Sequence, residues 1–121
     1  MYHIPFQTTD WNNVPAVRHA GESGFATWRT LQYGDLRIRF VEYSENYTAD
    51  HWCKLGHILL CMEGEMTTEI AGQQAVILKA GMSYQVSDNL SSHRTSTKKG
   101  AKLFIVDGGF LKGSTETSES Q

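Results

Sequence analysis

The stretch Asp50-His51-Trp52-Cys53-Lys54-Leu55-Gly56-His57-Ile58-Leu59-Leu60-Cys61-Met62-Glu63-Gly64-Glu65 carries two of the chain's five histidines and both of its cysteines. His51 and Cys53 are two positions apart, so on an extended strand their side chains leave the same face. His57 follows four positions after Cys53, past Gly56, where the chain can turn before an apolar run closed by Gly64. Two nitrogen donors and a sulfur donor brought this close together suit a transition metal.

Around this stretch the chain punctuates itself into short extended segments. Residues 25–32 are rich in β-favouring types and end at Gly34-Asp35, a turn signal. Over residues 36–43, Leu36, Ile38 and Phe40 share one face while Arg37, Arg39, Val41 and Tyr43 share the other. Residues 44–49 read as a polar loop. Strands are then expected at 57–62, 66–71, 75–79, 82–86, 93–97 and 102–107, the last an apolar run with the profile of a buried strand. About eight short strands at regular spacing and no helix argue for an all-β sandwich or barrel. Residues 1–24 hold both prolines and read as an irregular N-terminal arm, with Phe6 and Trp11 pinning it to the domain or to a second subunit. Residues 108–121 run into a polar, acidic tail expected to be disordered.

At 121 residues the chain is expected to form one domain that needs no disulfide framework. Two cysteines are too few for a stapled secreted scaffold and fit a reducing interior. The first residues lack the basic start and apolar core of a signal peptide, and no apolar run approaches the twenty or so residues that span a bilayer. With a net charge of −2 and scattered Lys and Arg, nucleic acid and membrane are excluded as expected partners. The expectation is a cytoplasmic protein.

The motif spacing resembles the cupin superfamily. Its first motif runs His, one residue, His, three or four residues, Glu, six residues, Gly; here His51, Cys53, His57 and Gly64 stand at that spacing. Its second motif begins at Gly81 and ends at His93, one residue later than the pattern and without the usual Pro-x-Gly. A narrower likeness is to the DHCW-motif cupin-fold proteins. It is carried by Asp50-His51-Trp52-Cys53, Ile4-Pro5-Phe6-Gln7-Thr8-Thr9-Asp10-Trp11, Gly81-Met82-Ser83-Tyr84-Gln85-Val86 and Lys102-Leu103-Phe104-Ile105-Val106-Asp107. The resemblance implies a single-domain jelly-roll barrel, a double-stranded β-helix spanning residues 25–107, with a site inside it. It implies one divalent transition metal, Zn, Fe, Ni or Cu, on His51, Cys53, His57 and His93. The anionic ligand of the usual three-histidine, one-carboxylate set becomes a thiolate and moves to the second motif position. Dimerisation is expected by analogy with small cupins.

Arg39, Tyr43, Leu59, Cys61 and Tyr84 are candidate pocket-lining residues, with Cys61 read as a buried, inert thiol. Cys53 has a second reading as a nucleophile activated by His51 or His57, though the sequence supplies no obvious orienting carboxylate. His3 and His19 lie outside the motifs. The expected function is metal and small-molecule binding, either as a dioxygenase- or isomerase-like enzyme or as a sensing module without turnover. A metal-free structural barrel is the third possibility.

Overall fold

The computed structural model describes residues 2–112. Nine strands run in chain order: β1 (Ala16–Ala20), β2 (Phe25–Tyr33), β3 (Leu36–Tyr43), β4 (Tyr47–Thr48), β5 (His57–Ile70), β6 (Val76–Lys79), β7 (Ser83–Val86), β8 (His93–Thr97) and β9 (Ala101–Asp107). All pairings between them are antiparallel. One sheet has the order β1-β2-β3-β9-β5-β7 and the other β4-β8-β5-β6, so the long β5 belongs to both. This is the all-β architecture expected from the strand pattern, in the jelly-roll form that the resemblance implies.

The change of sheet is built into the sequence of β5. Cys61 pairs with Leu103 and Glu63 with Lys102, which leaves Met62 as an extra, bulged residue. Gly64 then sits at φ +79°, and a Cβ there would run into the carbonyl oxygen of Gly100. Residues 57–64 therefore pair with β7 and β9, and residues 65–70 with β6 and β8. Gly64, read from sequence as a strand end, is instead a bend inside one continuous strand.

The interior collects Ala26, Val41, Leu59, Cys61, Met66, Leu78, Ala101, Leu103 and Ile105 in one cluster. On β9 every second residue is buried, from Ala101 to Asp107. On β3 the face carrying Arg39 and Val41 points inward, whereas Phe40 lies on the outer face under Trp11. Trp11 also meets Phe104 edge-on at 6.0 Å, which fastens the arm to the domain's own outer surface.

The arm is not wholly irregular. Asp10 accepts a hydrogen bond from the Asn12 backbone N–H and starts a 3₁₀ turn at Trp11–Asn13, and β1 then pairs with β2 from Ala16↔Arg29 to Ala20↔Phe25. All five β1 residues are exposed, so the strand leaves no hydrophobic alternation to read. The expected loop at 44–49 likewise contains β4, held by backbone pairing to β8. Beyond β9, Gly109–Leu111 forms a further 3₁₀ turn, while residues 113–121 of the expected tail lie outside the described residues.

Gly64 and Gly72 share a positive φ, but only Gly64 faces backbone where a side chain would stand. Gly72→Ala is expected to cost about 1 kcal/mol, the usual penalty for a side chain in this region. Gly64→Ala should cost clearly more, and urea unfolding of the two variants measures the difference.

Candidate metal centre

Three of the sequence-derived ligands converge. The donor atoms of Cys53, His57 and His93 all lie within 4.8 Å of one another. Cys53 is held on the second sheet by a two-bond bridge: its N–H donates to the His93 carbonyl at 2.8 Å, and the His93 N–H donates back at 3.0 Å. His57 comes from the first sheet, as the opening residue of β5. Gly56 lets the chain reach it, because a Cβ there would strike the carbonyl oxygen of Val86. The Gly56 N–H is tied to the Asp88 carboxylate at 2.6 Å.

Hydrogen bonding fixes which nitrogen each ring offers. Nδ1–H of His57 donates to Asp107 Oδ2 at 2.9 Å, and Nδ1–H of His93 donates to the Ser91 carbonyl at 3.1 Å. A carboxylate and a carbonyl only accept, so in each neutral ring the lone pair is left on Nε2. His93 Nε2 is buried without a partner, and His57 Nε2 lies 3.7 Å from Cys53 Sγ. Sulfur and nitrogen bound tetrahedrally to one metal are separated by about 3.6 Å, given bonds of about 2.3 and 2.05 Å. Acceptors behind ligating histidines are the usual second layer of a metal site. The residues present fit a metal.

His51 stands outside this cluster. It lines the mouth of the same cavity, but its side chain is 73% exposed and its Nδ1 is 2.6 Å from Asp50 Oδ1. Arg39, Tyr43, Leu59 and Tyr84 line that cavity of about 260 Å³ together with Trp28. Cys61 does not; it is fully buried in the core, and burial pushes its thiol up. Both cysteines are free.

Sequence reasoning missed Asp107. This buried carboxylate accepts from Arg37 Nε at 2.9 Å, from Arg39 Nη2 at 2.7 Å and from His57. Burial alone would raise its pKa, but the hydrogen bonds from His57 and Arg37 and the charges of both arginines hold it well below the ordinary carboxylate range. Burial pulls His57 down, yet Asp107 and Cys53 outweigh it and raise the imidazole. Hydrogen bonding to His57 lowers the Cys53 thiol against the opposing effect of burial. The signal was present: Asp107 shares the inward parity of Leu103 and Ile105, and an acid on the apolar face of a buried strand requires a partner.

No family profile and no curated protein matches the sequence. The structural likeness is to cupin-like proteins. A cupin-like protein from Thermotoga maritima is 17% identical, with TM-score 0.66 over 79% of this chain and 80% of that one. A predicted oxalate decarboxylase from the same organism is 14% identical, with TM-score 0.72 over 84% and 98%. Fe(II)-bound HppE is 14% identical, with TM-score 0.68 over 88% of this chain and 63% of that one. At these identities the likeness shows the fold alone.

Because Asp107 serves two guanidiniums and an imidazole, Asp107→Ala should cost about 3–5 kcal/mol in urea unfolding, the range for breaking a buried ion pair. Its depressed pKa also sets a pH window. The stabilisation is full above the unfolded-state pKa near 4 and is lost as pH falls toward the lower folded-state value. The fall in stability of the parent between about pH 5 and pH 2 should therefore be shallower in the variant.

Proposed function

We propose that this chain is a metal-binding protein of the cupin-like fold. In this reading it holds one divalent transition metal on Cys53, His57 and His93 and takes a small molecule into the cavity beside them. The observation that carries the reading is the pair of histidines whose Nδ1–H groups are both committed to acceptors, with a buried, partnerless Nε2 on His93. A thiolate with two imidazoles favours Zn, Fe, Ni or Cu over Mg, Ca or Mn. Three protein donors leave coordination open, which suits ligand exchange or catalysis better than a closed structural site. Bound there, such a metal supplies Lewis acidity or, for iron or copper, redox capacity. Iron or nickel with open positions favours a dioxygenase- or isomerase-like enzyme, and a closed zinc site favours a sensing module.

A second reading rests on a specific observation. Cys53 Sγ, His57 and Asp107 form a chain of 3.7 Å and 2.9 Å, the order of a nucleophile, its base and an orienting carboxylate. Asp107 is thus the carboxylate that sequence reasoning lacked. The two readings part at His93, which only the metal reading needs.

Elemental analysis of the purified chain decides between them. Near-stoichiometric metal is expected in the parent and in His51→Ala, with marked loss in Cys53→Ser, His57→Ala and His93→Ala. A parent that carries none after incubation with zinc, iron, nickel and copper salts overturns the metal reading. Alkylation of Cys53 by iodoacetamide that is unchanged in His93→Ala and slowed in His57→Ala and Asp107→Asn supports the nucleophile instead.

The protein is further proposed to work in the cytoplasm as a homodimer. No helix among the described residues is long and apolar enough to cross a membrane. Every β1 residue is exposed, and Ile58, Leu60 and Met82 leave apolar side chains open to solvent. Sedimentation should show a dimer in the parent and a shift toward monomer in Leu60→Lys; a monomeric parent removes the proposal.

A further inference from the structure

Three arginines and no carboxylate line the cavity beside Cys53, His57 and His93: Arg37, Arg39 and Arg94. Arg94 is paired with Glu69 at 3.2 Å. Arg37 and Arg39 have one acid between them, Asp107. Two guanidiniums on one carboxylate leave an excess of one positive charge, and the Arg39 side chain is only 4% exposed. Burying an unmatched cation is costly unless something compensates it. A divalent metal with the Cys53 thiolate would add to that excess.

Arg39 also has donor capacity left over. Its Nη2 holds Asp107, but its Nε is buried with no hydrogen-bond partner. A planar guanidinium with a free donor is matched to a carboxylate, which it meets through parallel hydrogen bonds. In the chain without metal, that excess of one charge favours a monoanion over a phosphate dianion. The walls are aromatic: the Arg39 guanidinium carbon is 4.4 Å from the Trp28 ring centre, and the Tyr43 and Tyr47 rings stack at 4.4 Å. Burial pushes the Tyr43 and Tyr84 phenols up, so both stay neutral O–H donors. At about 260 Å³ the cavity falls just below the range of drug-sized sites, about 300–1,000 Å³, and suits a smaller molecule.

We infer that this cavity binds a small aromatic monocarboxylate, its carboxylate received by Arg39 and its ring lying against Trp28 and the tyrosines. The inference rests on the reading above for the choice of cavity, but not for the presence or identity of a metal.

Isothermal titration of the full chain, as purified and after chelator treatment, with benzoate, 4-hydroxybenzoate, benzamide and inorganic phosphate tests it. The expected result is binding of at least one of the two carboxylates, with benzamide and phosphate at least tenfold weaker. Arg39→Lys keeps a cation opposite Asp107 but loses the planar fork, and is expected to weaken carboxylate binding about tenfold or more. Comparing carboxylate with amide on the parent needs no variant, so the test holds even if Arg39→Lys fails to fold. Benzamide binding as tightly as benzoate, phosphate binding more tightly than either carboxylate, or no heat from either carboxylate at millimolar concentration would overturn the inference. Folded Arg39→Lys binding with unchanged affinity would do the same. A parent that takes up no metal from any of the salts yet discriminates acid from amide overturns the metal reading alone, and a metal-loaded chain that does not discriminate overturns this one alone.

Discussion

One buried carboxylate organises the inner end of this barrel. Asp107 closes β9, and it is the common acceptor for Arg37, Arg39 and His57, which arrive from β3 and β5. Removing it leaves the buried Arg39 guanidinium beside the half-buried Arg37 without their shared acceptor, and an imidazole with nothing to orient it. The Arg37 side chain pairs across the sheet from Asp107, so the β3–β9 register and the ion pair enforce each other. The tautomer of His57, and hence the direction in which it presents its lone pair, follows from that same carboxylate.

The cluster of Cys53, His57 and His93 and the cation-lined cavity share this origin. Had a second acid accompanied Arg37 and Arg39, the cavity wall would be electrically neutral and Arg39 would have no spare donor. With one acid, the wall stays positive beside a thiol that His57 already inclines toward its thiolate.

Much of this was legible in the chain, and the exceptions have physical causes. The apolar run in residues 102–107 and the spacing from His51 to Gly64 pointed to a strand and to a site. They did not show that Gly64 bends a strand rather than ending one, because a turn and a bulged bend use the same residue. Strand β1 escaped notice because it buries nothing. His51 occupies the motif position, yet it sits on an exposed segment beside Asp50, whereas Cys53 is drawn inward by its backbone bridge to His93. Pairing of that kind between distant segments leaves no trace in local spacing. Arg39 and Asp107 were visible as charges on inward-facing parity; which charge would meet which was not.

The bend in β5 has a mechanical corollary. His57 belongs to one sheet, while Cys53 and His93 belong to the other, and β5 is the one strand that both sheets share. The gap between sulfur and imidazole therefore lies between the two layers, 3.7 Å wide at its narrowest named atoms. A metal held there, as proposed, would act as a clasp across the sandwich, joining through side chains what β5 already joins through its backbone.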